Sequence, residues 1–238
     1  MNTARKLDRS LLVAGVIGGV VLLWLALIES PSLAGRAGVT SPLSWRLFYF
    51  HVPAALASFI AFGVALVSAV LYLRQRSMTW DRSAHAAVEV GVLFSGLTLV
   101  SGMIWAKSEW DDAWDFSNAK LVMTLVLFLI FVAYLALRTN IADPEKRARI
   151  ASLYALAGFA AVPLTWFAHR IWNTFPHPQP LEPQTSAQGI VTPGIMPIFL
   201  VGVLVFVILF AGLYRWRFQI LEIEDRIEEL SVAQEVHA

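Results

Sequence analysis

The chain has 238 residues, 58% of them hydrophobic and only 15% charged, with a formal net charge of +1. Soluble domains run closer to about 45–50% apolar and about 25% charged, so the composition excludes an ordinary water-soluble enzyme. A charge near zero leaves no electrostatic footprint for nucleic acid, and the absence of cysteine excludes disulfides, thiolate metal sites and cofactors attached through Cys.

Long uncharged runs take the place of a soluble core. Six of them, near 11–28, 52–73, 84–105, 119–137, 150–167 and 196–214, approach the roughly 20 apolar residues that a membrane helix needs. Lipid offers the backbone no partner, which leaves helices as the way across. Arg5, Lys6 and Arg9 precede the first run, but its length exceeds a signal-peptide core, so it reads as a retained span. Basic residues set the orientation. The N-terminus, the second and fourth loops and the C-terminal region hold 13 of the 18 Lys and Arg. The other side keeps Arg36, Arg46, Lys107, Lys120 and Arg170. The positive-inside rule puts both termini in the cytoplasm of an inner (plasma) membrane and the first, third and fifth loops outside.

The fold class is thus an all-α integral membrane protein of six spans. The chain divides into a membrane domain over 1–218 and a cytoplasmic tail over 219–238. In the tail Ile220, Ile223, Ile227 and Leu230 recur at helical spacing between acidic residues. The outer loop over 168–195 contains Pro176, Pro178, Pro180, Pro183 and Pro193, which favours an extended chain.

The unusual residues collect on the outer side. His51 stands in Arg46-Leu-Phe-Tyr-Phe-His51-Val-Pro53-Ala-Ala, at the start of the second span, where Pro53 suits a first helical turn. His169 closes the fifth span and His177 follows in the Pro-rich loop. Between His51 and His169 in sequence, residues 105–117 pack Trp105, Trp110, Trp114 and Phe116 together with Glu109, Asp111, Asp112 and Asp115. Neutral imidazole is a normal axial ligand for heme iron, and aromatic faces offer a flat cofactor a large contact area. The acidic cluster reads as a solvated loop face rather than a cation site. His85 and Glu89, one helical turn apart, read as a pair reaching for the inner surface. No nucleotide-binding glycine loop, nucleophile elbow or HExxH motif occurs, so the chain is expected to hold a ligand rather than to act as an enzyme. A membrane b-type cytochrome in quinone-linked electron transfer is the alternative. It would need histidines inside the spans, where only His85 comes close.

With these motifs the chain resembles the heme exporter protein C family, also called cytochrome c maturation protein C, of the heme-handling superfamily. The likeness covers nearly all six spans. It is carried by the 46–55 stretch, the 105–117 loop and Trp172-Asn173-Thr174-Phe175-Pro176-His177. The family's loop reads W-G-x-x-W-x-W-D. Trp110 and Trp114 match it, while Asp111, Phe116 and Ser117 replace Gly, Trp and Asp. The resemblance implies a cargo of heme b, ligated by His51 and His177 against a Trp-rich platform. It also implies delivery to a periplasmic heme chaperone for c-type cytochrome biogenesis, in company with an ATP-binding cassette heme-release complex and a small membrane subunit, amid membrane lipid. Rigidity alone would favour His169 over His177 as the partner of His51. The heme propionates should avoid the acidic loop and turn toward Arg46, Lys107, Lys120 or Arg170, with Arg46 and Arg170 leading because Arg binds carboxylates in bidentate fashion.

The basic bias makes a direct prediction. In this cysteine-free chain, Ser108→Cys should react with an impermeant thiol reagent added to intact cells and Ser77→Cys should not. The opposite labelling pattern would invert the topology.

Overall fold

The computed structural model describes residues 3–32, 39–172 and 194–237. Every secondary-structure element among the described residues is helical, with α1 (Thr3–Trp24), α2 (Phe48–Gln75), α3 (Met78–Trp110), α4 (Ala119–Thr139), α5 (Pro144–Phe159), α6 (Ala161–Ile171) and α7 (Ile195–His237). A π-turn, Leu25–Glu29, extends α1, and a 3₁₀ turn, Ser44–Leu47, leads into α2. Six of the resulting units are long and apolar enough to cross a membrane. They correspond to the six expected spans, with two differences.

The fifth span is two helices. Pro163 has no N–H to return to the Phe159 carbonyl, and α5 ends at Phe159. The span restarts at Ala161, where Thr165 donates both to the Ala161 carbonyl (2.7 Å) and across to the Met123 carbonyl of α4 (3.1 Å). Pro53, in turn, lies inside α2 rather than in its first turn, because the helix begins at Phe48. Its missing N–H frees the Tyr49 carbonyl, against which α7 packs Gly202. A Cβ at Gly202 would lie 2.7 Å from that oxygen. His51 therefore sits within the first turn of a helix already under way. Of the tail set apart at 219–238, residues 219–237 continue α7 without interruption.

α2 and α3 form the centre, joined by a tight turn in which Arg76 adopts φ 57° and returns its N–H to the Tyr72 carbonyl (2.7 Å). Their seam is built from small residues. Ala54, Ala57, Ser58, Ala61 and Ala65 of α2 are buried, as are Ser83, Ala84, Ala87 and Gly91 of α3. Lipid tails are as apolar as leucine, so helices associate in a bilayer by close packing, which small residues permit. At Gly91 a Cβ would lie 2.6 Å from the Phe62 ring, itself stacked on Phe131 at 3.8 Å. α7 packs on α1, α2 and α3, while α4, α5 and α6 close the other side. α1 is peripheral, and Val13, Val16, Ile17 and Val20 are exposed on it, as acyl-chain-facing residues should be.

The two ends of the bundle differ. At one end, the arginine end, charges pair across helices. Arg138 holds Asp81 through two hydrogen bonds (2.6 and 2.7 Å), with both side chains almost fully buried. Arg217 holds Glu89, Arg215 holds Asp8, and Arg82 holds Asp225 at 2.7 Å. Glu89 also keeps the expected contact with His85 (3.4 Å). The other end, the tryptophan end, gathers the start of α2, the end of α3, the start of α4 and the end of α6.

Removing one member of a buried pair strands the other charge, at a cost of about 3–5 kcal/mol. Arg138→Gln should therefore lower the thermal unfolding midpoint in detergent by on the order of 10 °C. The double variant Asp81→Leu with Arg138→Leu should recover most of that loss, measured by the same melt.

Candidate functional site

The tryptophan end encloses a cavity of about 390 Å³. α2 contributes His51, Ala55 and Phe59 to its wall, spaced four residues apart on one helix face. α3 contributes Thr98, Gly102, Trp105 and Trp110. α4 contributes Lys120 and Thr124, and α6 contributes Thr165, Trp166, His169 and Arg170. Trp45, from the 3₁₀ turn, completes the wall. Its ring meets Trp105 edge-to-face at 5.4 Å, and Trp105 meets Trp110 in the same way at 4.9 Å. The result is a chain of rigid aromatic surfaces.

His51 is held against α3. Its Nδ1 lies 3.0 Å from Ser101 Oγ, and Gly102 makes room for the ring, since a Cβ there would come within 3.0 Å of His51 Cε1. Lys120 lies over the Trp166 ring, 5.3 Å from its centroid, and donates to the Trp166 carbonyl (3.2 Å). Among the described residues that line the cavity there is no Asp or Glu.

The acids nearby are turned elsewhere. Glu109 is buried rather than solvated. It accepts from the backbone N–H of Thr40 and of Ser41 (2.9 Å each) and from the Ser44 hydroxyl (3.0 Å). This carboxylate thereby ties the segment before α2 to the end of α3. Asp111 adopts φ 57° and ends α3, and Lys107 donates to both its carbonyl (2.8 Å) and its carboxylate (2.7 Å). That hydrogen bond holds the Asp111 carboxyl below the usual carboxylate range. Hydrogen bonds from the Ser117 hydroxyl and backbone N–H do the same for Asp115. Asp111 is exposed and Asp115 half-buried, and both stay ionised through neutral pH. Among the described residues no group of three His, Cys, Asp or Glu could hold a metal ion.

The structure brings together some of the residues expected from sequence and separates others. His51, His169, Trp105, Trp110 and Arg170 line one cavity. Trp114 and Phe116 do not line it. They meet each other at 5.8 Å, with Phe116 79% exposed. The chain turns away at Asp111, so the aromatic motif is split between the wall and the surface. Arg46 donates to the Leu27 carbonyl in the π-turn and is thus committed to a helix C-terminus. His177 lies outside the described residues. Trp45, Trp166, Ser101 and Gly102 carry no mark in the sequence reading. The available signal was the polar or small series Thr98, Ser101, Gly102, spaced to share one face of an apolar helix.

The heme exporter protein C profile matches residues 1–232. The chain belongs to the heme exporter protein C family. It is 32% identical over 133 residues to the heme exporter protein C of Bradyrhizobium diazoefficiens, a match covering 56% of this chain and 50% of that protein. It is 30% identical over 158 residues to a putative cytochrome c biosynthesis ccmC-like mitochondrial protein of Marchantia polymorpha, covering 66% and 65%. It is 29% identical over 178 residues to the heme exporter protein C of Haemophilus influenzae, covering 73% and 68%. The matched stretch thus spans between half and about two thirds of these relatives' length. As a member of this family with six membrane-length apolar helices, the chain is a multi-pass inner-membrane protein.

The tie through Glu109 has a measurable consequence. Glu109→Ala should raise amide hydrogen exchange at Thr40 and Ser41, because both N–H groups lose their acceptor. Asp112→Ala should leave those two amides as they are.

Proposed function

We propose that this chain binds heme b in the tryptophan-end cavity and delivers it to an extracytoplasmic heme chaperone for c-type cytochrome biogenesis. The family and the names of its relatives support a role in heme handling for cytochrome c biogenesis. The observation that carries the finer reading is the composition of the cavity's lining. Two histidines, two cationic side chains and four tryptophans line it, and among the described lining residues there is no carboxylate. Heme presents an iron that takes imidazole, a flat apolar ring that takes aromatic faces, and two propionates that take cations. Each of those needs has a matching residue here.

In this reading His51 supplies one axial ligand. Lys120 and Arg170, which line the cavity, take the propionates in place of Arg46, which does not line it. The second axial ligand is His177 by family resemblance or His169 by its place on the cavity wall. With the basic loops in the cytoplasm, both termini are cytoplasmic and the cavity opens toward the far side of the membrane. An ATP-binding cassette complex and a small membrane subunit act beside the chain, which itself carries cargo rather than catalysing a reaction.

The decisive measurement is the absorption spectrum of purified protein. His51→Ala should lose the bound-heme Soret band. Lys120→Gln or Arg170→Gln should weaken heme retention by about tenfold, the scale of one charge-assisted hydrogen bond of about 1.5–3 kcal/mol. Asp112→Asn should change it little. His177→Gly and His169→Gly, each supplied with imidazole, identify the second ligand by which variant loses heme and regains it. Full retention in His51→Ala would overturn the reading.

A further inference from the structure

Ser101 and His51 meet inside the bundle, one turn below the tryptophans. The Ser101 hydroxyl has a single proton and three neighbours that could share in it. The Leu97 carbonyl lies at 2.7 Å, the Thr98 carbonyl at 3.2 Å and His51 Nδ1 at 3.0 Å. Carbonyl oxygens only accept. All three contacts are hydrogen bonds in just one arrangement, in which the hydroxyl donates to the α3 carbonyls and accepts from Nδ1–H. A neutral imidazole with its proton on Nδ1 has its lone pair on Nε2.

We propose that Ser101 is the positioning residue of His51: it anchors the Nδ1 proton on the α3 backbone and thereby presents Nε2 to the cavity as an unprotonated donor. The inference rests on the reading of His51 as an iron ligand given above. Ligating histidines generally donate their other N–H to a carboxylate, a carbonyl or water, which sets the tautomer, the ring plane and the basicity of the ligating nitrogen. Here a serine relays that bond into a helix backbone. It does so without placing a negative charge in the membrane, where an isolated carboxylate would be costly. Gly102 belongs to the same device, because its lack of a Cβ lets the ring lie close enough to α3 for Ser101 to reach it.

The test has two readouts. In apo protein labelled with ¹⁵N-histidine, the wild-type His51 signals should show a protonated Nδ1 and a bare Nε2. Ser101→Ala should give a mixture of tautomers, and Ser101→Thr, which keeps the hydroxyl, should restore the wild-type pattern. With hemin added, Ser101→Ala should bind about tenfold more weakly, at the low end of the 10–100-fold cost of losing such a partner, and Ser101→Thr should bind nearly as wild type does. A bare Nδ1 in wild-type apo protein overturns the proposal without any variant. So does Ser101→Ala with unchanged tautomer and unchanged affinity while His51→Ala loses heme, an outcome that leaves the ligand reading standing. Retention of heme in His51→Ala overturns the ligand reading instead, and the apo tautomer then still decides what Ser101 does.

Discussion

Everything at the tryptophan end depends on how closely α2 approaches α3. In water such a seam would be held by expelling solvent from large side chains, but in lipid the acyl chains offer the same apolar surroundings as a partner helix. Contact is then favoured only where backbones come close enough for dense packing and for polar groups to reach across. The chain meets that condition with alanine, serine and glycine along both helices. At Gly91 and Gly102 there is no room for an added carbon without displacing a ring on α2. The second of those rings is His51. The closeness of the seam therefore sets where the imidazole stands, and which groups of α3 it can touch.

Charge is then divided between the two ends. At the arginine end Asp81, Glu89, Asp8 and Asp225 each meet an arginine of another helix. A charge in that position is tolerable only with a partner, and these pairs register α1, α3, α4 and α7 against one another. At the tryptophan end the arrangement is reversed. Acids are present in number, but Glu109 is occupied with backbone amides, Asp111 with Lys107 and Asp115 with Ser117. The cations Lys120 and Arg170 face the cavity instead. An enclosure lined by aromatic rings and cations attracts an apolar anion, and heme with its propionates is one.

In the proposed function the chain must also release what it binds. His51 stands on a rigid helix, with its ring fixed by α3. The aromatic loop is less uniform. Trp105 and Trp110 belong to the wall through α3, while Trp114 and Phe116 follow the left-handed turn at Asp111 and pack on each other outside it. Part of the motif is thus scaffold and part is surface, a division set by where α3 ends.

The sequence by itself determined the class of the protein, its spans and the neighbourhood of the candidate site. Apolar run length and the scarcity of charge leave a chain in lipid no choice but helices, and residues near span ends at one side must share one face of the membrane. The family was legible for the same reason, since its motifs are contiguous in sequence. The break at Ala160 was hinted at by Pro163. What the sequence could not supply is which side chains of different helices point into the same space. Lys120 and Trp166 come together only because α4 packs on α6, and Trp45 reaches Trp105 only because Glu109 ties the preceding segment down. Arg46 reaches the Leu27 carbonyl at the end of the first span, a contact that no local pattern in the sequence announces. Ser101 was one small polar residue among several in an apolar helix. Its meaning came from fifty residues away, where the tightness of a glycine-lined seam brings His51 within hydrogen-bonding distance.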